Sequence, residues 1–297
     1  MIMDIFGIPI QALLGQLMLG IVNGSFYAVL SLGLAIIFGV LKIVNFAHGA
    51  FFMLGAFTAF LLAQYMGLNY WVTLLVAPLL VAVFGMLFEF LFLRRLYGLD
   101  PIYGLLLTFS LVLVLEGGFR VAFGSSGQPF ATPELLRGTI NLGFMILPLY
   151  RGFVILSALL LCLVTWFVIE RTSLGASLRA ATERSELTQA FGINVPRLIT
   201  LTYGVGVGLA AFAGVLAAPI FHVNPSMGSS LVIIIFAVVV IGGLGSIMGA
   251  IVTGLGLGVV EGFTRVFYSE FSSTIVFLVM VLVLLLRPAG LFGREEG

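Results

Sequence analysis

Charge is what this chain most lacks. Asp, Glu, Lys and Arg make up 8% of its 297 residues, and hydrophobic residues make up 61%; soluble domains carry about 25% charged residues. A soluble fold of this length could not cover its surface with so few. Cysteine is nearly absent too. Cys162 stands alone inside an apolar run, which excludes a disulfide framework and a Cys-based metal site. The two histidines, His48 and His222, are far apart, so no metal-ligand spacing and no catalytic constellation emerges, and no enzyme activity is expected. Lys42 is the single lysine and Ile43 follows it. A Walker A loop needs Gly-Lys-Ser/Thr to hold phosphates, so this chain is not itself a P-loop ATPase. If it works with ATP, the nucleotide sits on another polypeptide. The net charge of +1 points to neither nucleic acid nor an acidic partner. The opening MIMDIFGIPIQ carries Asp4 and no basic n-region, and reads as an interfacial lead rather than a cleaved signal peptide.

What charge there is, is unevenly placed. Residues 198–260 contain no Asp, Glu, Lys or Arg, whereas Glu170–Arg197 holds seven of them. One bilayer crossing takes about 20 apolar residues, so the charge-free stretch reads as three crossings with short turns. A basic segment abutting a span stays on the cytoplasmic side. The fold class expected is an all-α, polytopic transmembrane bundle forming one domain over residues 1–297. Apolar runs suggest about ten spans, near 10–28, 30–47, 50–67, 71–93, 102–122, 147–169, 198–219, 229–244, 248–267 and 272–287. The count falls to eight if the opening segments are re-entrant. Placing Arg94-Arg95, Glu170–Arg197 and Arg287 with Arg294 on one side requires an even number of crossings between them, and the runs supply two and then four. With the first two runs separate, the amino terminus also lies inside. Between residues 123 and 149 runs the longest outside loop, either a docking surface for an external partner or a plain connector.

Polar groups within the apolar runs are the candidate path. Lys42, Asn45 and His48 interrupt the segment Ser31–Thr58. A broken helix lining a substrate path would satisfy them; so would a turn near the inner surface with Lys42 snorkelling to the interface, and the latter is favoured. Asn23, Ser25 and Tyr27 form a second cluster, able to hydrogen-bond a small zwitterion or a neighbouring helix. Glu89 with Arg94, Glu116 with Arg120, and Glu261 with Arg265 are spaced to neutralise each other on helix faces, which weakens an ion-driven reading. The glycine run at 240–249 lacks a lysine and reads as a tight helix–helix turn; glycines 204, 206, 208 and 214 read as a packing face.

The loop at 170–197 is expected to form one or two short amphipathic helices, stopped at Gly192 and turned at Pro196. Leu187 and Phe191 make an apolar knob flanked by Arg179, Glu183, Arg184 and Glu186, a peg for a partner's groove or a face resting on lipid headgroups.

Three blocks carry a family resemblance: residues 23–49 with the string Asn-Phe-Ala-His-Gly at 45–49, residues 177–219 and residues 241–261. They resemble the LivH-type permeases of branched-chain amino acid ABC importers, in order and in total length. The chain departs from that pattern at Ala50, where the family commonly carries an acidic residue, so a charge to meet a substrate amine is missing there. The resemblance implies a multi-pass protein of the bacterial inner membrane. Its partners would be a LivM-like second permease, two cytoplasmic ATPase subunits that bind the ATP, a periplasmic substrate-binding protein and membrane lipid. It would carry branched-chain or other amino acids; related permeases carry urea, short amides or aromatic acids. Arg179, Glu183, Arg184, Leu187, Ala190, Phe191 and Gly192 would couple to the ATPases, and Asn23, Ser25, Tyr27, Asn45 and His48 would border the path. An ion-coupled carrier working alone would instead need unpaired midplane acids and an inverted repeat. A passive channel would need a filter or charged ring, and none is visible.

Overall fold

The computed structural model describes residues 4–5 and 8–293. Of the expected lead, residues 4–5 and 8–9 form a short antiparallel pairing, and residues 10–11 already belong to the first helix; Arg294 lies outside the described residues. Eleven α-helices follow: α1 (Ile10–Leu41), α2 (His48–Met66), α3 (Tyr70–Leu91), α4 (Pro101–Phe123), α5 (Leu149–Arg171), α6 (Ser173–Glu183), α7 (Ser185–Ala190), α8 (Val195–Phe221), α9 (Ser229–Gly242), α10 (Ile247–Phe267) and α11 (Ile275–Leu286). Seven are long and apolar enough to cross a membrane, and α9 and α11 are shorter apolar helices. This is an all-α membrane bundle with nine apolar helices among the described residues, and the expected ten spans are not confirmed.

The difference arises at α1. The expected break at Asn23-Gly24-Ser25 does not occur, and the first two runs are one helix of 32 residues. Ser25 donates to the Ile21 carbonyl one turn back, so its hydroxyl is satisfied without leaving the helix. Gly24 serves packing, not turning: a Cβ there would lie 2.9 Å from the Leu255 carbonyl oxygen of α10. Gly20, Gly254 and Gly262 continue the seam, and a side chain at any of them would strike the facing backbone. Small residues let membrane helices approach this closely. As a single crossing, α1 begins at the end of the bundle opposite Arg94 and the 170–197 loop. Its first residues therefore sit across from the basic end, contrary to the sequence expectation.

Sidedness otherwise follows the arginines. Lys42, Arg94, Arg95, Arg287 and the whole 170–197 loop gather at one end, brought there by contacts of Arg94 with Pro196, of Gly39 with Gly245 and of Leu291 with Ile241. Arg120, Arg137, Arg151 and Arg265 belong to the other end. There the connection between α4 and α5 is ordered, with a hairpin of Thr139–Asn141 and Ile146–Pro148 and a backbone pairing of Gln128 with Val223.

The centre of the bundle is α8. Its Gly206 meets the Gly33 carbonyl of α1, its Gly204 meets Met86 of α3, and its Gly214 meets the backbone of Phe52 in α2. The expected packing face of small residues is thus real. The turn after α9 is tight as well, with Gly243 and Gly245 at φ of 99° and 82°, a conformation that glycine adopts at no steric cost.

Candidate functional site

Two regions carry polar chemistry, and α8 connects them. The first is the loop at the basic end. Ser173–Glu183 and Ser185–Ala190 form the two expected short helices. Gly192 follows at φ 86°, and Asn194 caps α8 by accepting from the Arg197 amide at 3.1 Å. Glu183, Arg184, Leu187, Ala190 and Gly192 are exposed, and Phe191 is 86% exposed. Water-facing Leu and Phe on a charged helix pair form an apolar knob in need of a cover. Arg179 faces the other way, donating to the Ile169 carbonyl at 3.0 Å and pairing with Glu170 at 3.5 Å. It anchors α6 to the end of α5.

The second region is the interior start of α2. Lys42 is exposed at the end of α1, with φ 52°. From there the chain does not stay at the surface: residues 43–45 form no regular element and 46–47 make a turn that leads into α2, carrying the chain back into the bundle. His48 is fully buried, its Nε2 2.9 Å from the Leu30 carbonyl. Leu30 lies roughly 16 Å up the α1 axis from Leu41, so the expected placement of residues 42–49 near the inner surface holds only for Lys42. Asn45 fixes the re-entry. Its Nδ2 donates to the Tyr203 hydroxyl of α8 at 3.3 Å, and its Oδ1 accepts from the Ala47 amide at 3.1 Å. The Phe46 amide donates to Thr108 of α4 at 3.3 Å. Gly49 touches Gly228 backbone to backbone, so α9 starts at the same depth as α2. This is why α9, 14 residues long, spans only about 21 Å where a full crossing needs about 30 Å.

Between α2, the end of α8 and the start of α9 lies a cavity of about 630 Å³, lined by Phe52, Phe221, Asn224, Ser226, Met227, Ser229, Ser230 and Leu231. Ligand pockets commonly run from about 300 to 1,000 Å³. The structure does not gather the sequence candidates into this cavity. Asn23 is half-buried, Ser25 bonds its own helix, Tyr27 donates to Glu261 at 2.7 Å, and Asn45 and His48 serve the re-entry. The cavity's own polar residues were missed. The signal for them was the string Asn-Pro-Ser-Met-Gly-Ser-Ser at 224–230, the most polar run in the charge-free stretch.

The acids divide. Glu89 pairs with Arg94 at 3.3 Å and Glu261 with Arg265 at 2.6 Å. The Glu116–Arg120 pair is not among the ion pairs of the described residues. Glu116 Oε1 is buried without a hydrogen-bond partner while Arg120 is exposed. Spacing one turn apart permits a pair, but near the end of a span a long arginine reaches outward to water instead.

A family described as the permease component of branched-chain amino acid transport systems matches residues 16–284. The chain belongs to this permease family. Among its relatives is the high-affinity branched-chain amino acid transport system permease protein BraD of Pseudomonas aeruginosa, 34% identical over 95% of this chain and 96% of that protein. LivH of Salmonella typhimurium is 30% identical over the same shares. LivM of that organism, also named as a permease of this transport system, is 30% identical over 89% of this chain and 67% of its own length. No solved structure matches. The permease is therefore a multi-pass membrane protein, and the segments that set its depth profile, residues 42–49 and 224–249, lie inside the matched region.

Proposed function

We propose that this permease is one of two membrane-spanning subunits of an ATP-driven importer for branched-chain amino acids in the bacterial inner membrane. The observation that carries the reading is the exposed α6–α7 knob, separated from α8 by only residues 191–194. An apolar peg on a charged loop, feeding the central helix of the bundle, suits a mechanism in which a separate ATPase pushes on the chain. Two ATPase subunits bind the ATP, a LivM-like permease completes the path, and a periplasmic binding protein delivers substrate. The permease itself contributes no cofactor or metal and performs no covalent chemistry. The substrate class comes from the names of the relatives, and the cavity chemistry agrees with it. Phe52, Phe221 and Leu231 offer an aliphatic side chain a dry wall, and Asn224, Ser226, Ser229 and Ser230 offer hydrogen bonds to its polar end. Amide, urea and aromatic-acid permeases are the neighbouring alternatives. An ion-coupled carrier would have to rely on the half-buried Glu116, the one acid among the described residues with a buried oxygen that lacks a hydrogen-bond partner.

The test is a pull-down of the tagged permease from mild detergent, followed by leucine uptake into vesicles holding what co-purifies. Recovery of a second permease with Walker-containing subunits, and uptake that stops without ATP, is the expected result. Uptake by the purified chain alone, driven by an ion gradient and lost on Glu116→Gln, would overturn it.

A further inference from the structure

The basal ends of α3 and α8 are joined by a buried polar cluster with no obvious stabilising purpose. Glu89 is fully buried, and three side chains converge on its carboxylate. The Arg94 guanidinium lies 3.3 and 3.4 Å away, and the hydroxyls of Tyr97 and Thr200 donate at 2.8 and 2.6 Å. The same guanidinium donates to the Pro196 carbonyl at 3.0 Å and contacts the Thr200 hydroxyl. Burying a charge pair costs about as much as it returns, and packed apolar side chains hold two helices together more cheaply. What such a cluster supplies is fixed geometry. Pro196 and Thr200 lie one turn apart on the same face of α8. Further along, α8 packs on α3 at Gly204 against Met86; at the basic end, two polar attachments one turn apart keep it from pivoting about that contact.

We infer that Glu89, Arg94 and Thr200 are positioning residues that clamp α3 to α8, so that displacement of α6–α7 moves both helices together. This rests on the importer reading. The clamp sits where the push would enter, at Pro196 and Thr200, four and eight residues past Gly192. A turn above Thr200, Tyr203 holds Asn45, whose carbonyl oxygen sets the start of α2. One push on α8 therefore reaches α3 through the clamp and the interior start of α2 through Asn45.

The test uses proteoliposomes holding the permease with the subunits that co-purify with it, and compares leucine taken up per ATP hydrolysed. Thr200→Val removes the bridging hydroxyl while keeping shape and leaving the Glu89–Arg94 pair intact. The expected result is a fall in that ratio of about fivefold or more, with subunit recovery unchanged and with recovery of the ratio in Thr200→Ser. If Thr200→Val does not assemble, Arg94→Lys carries the same test, because it keeps the charge for Glu89 and loses the second arm to Pro196. A variant that assembles and transports at the parental ratio overturns the clamp. Absence of leucine-stimulated ATP hydrolysis in the parent complex would instead bring down the importer reading, and the clamp with it.

Discussion

Glycines stand inside both α4 and α10, and they mean opposite things. In α10, Gly254, Gly258 and Gly262 press against the backbone of α1, where a side chain would collide with main-chain atoms. In α4, a Cβ at Gly117 or Gly118 would meet nothing within 4 Å. The contrast runs through the molecule. The inner helices α1, α8 and α10 pack backbone to backbone along their shared faces. The outer helices α4, α5 and α11 leave residues such as Val114, Leu156 and Leu285 exposed, because lipid tails or another subunit can cover them at no cost in hydrogen bonds. A glycine in a membrane helix is thus informative only through what faces it.

That comparison can be broken at several points. The largest effect is expected at the Glu89–Arg94 pair, which closes the end of α3 and reaches α8 through Thr200 and Pro196. Arg94→Ala leaves Glu89 charged and uncompensated, a loss of about 3–5 kcal/mol that should appear as a collapse in the membrane yield of folded chain. Next comes the glycine seam. Gly258→Ala should cost about 1–3 kcal/mol because backbone cannot shift aside as a side chain can, whereas Gly117→Ala should be neutral or stabilising by up to about 1 kcal/mol from helix propensity; thermal melts of the two in one detergent decide. Equal shifts would dissolve the inner–outer distinction. Tyr150 ties the outer α5 to the core through the Leu216 carbonyl at 2.9 Å and the Tyr70 hydroxyl at 2.8 Å. Tyr150→Phe should lower stability by about 1 kcal/mol, read from the same melts. The smallest stability effect belongs to the peg. Phe191→Ser should stay within about 0.5 kcal/mol and yet abolish leucine-stimulated ATP hydrolysis, which an ATPase assay on the assembled complex would show.

Much of this was legible before any coordinates. The scarcity of charge demanded a membrane bundle, and the clustering of arginines demanded that Arg94, the 170–197 loop and Arg287 share one end; both hold. Gly192 marked the end of the loop helices and Pro196 the turn into α8, because their backbone restrictions are properties of the residues themselves. The path was less legible. Asn23, Ser25 and Tyr27 were singled out by polarity, yet a hydroxyl bonded to its own helix and one aimed at a substrate look identical in a sequence. Ser25 donates to the Ile21 carbonyl of its own helix, and Tyr27 donates to Glu261, 234 positions away.

By itself, then, the sequence determined the solvent of this protein, the side on which its charged loop lies, and the helices of that loop, since each follows from local composition or single-residue stereochemistry. Only the tertiary structure decided that α1 runs unbroken, that α2 and α9 begin inside the bundle, and that Glu89 joins α8 while Glu116 stays alone. Each of those depends on which backbone atom or side chain arrives opposite a given residue, and pairing across hundreds of positions leaves no mark in local pattern.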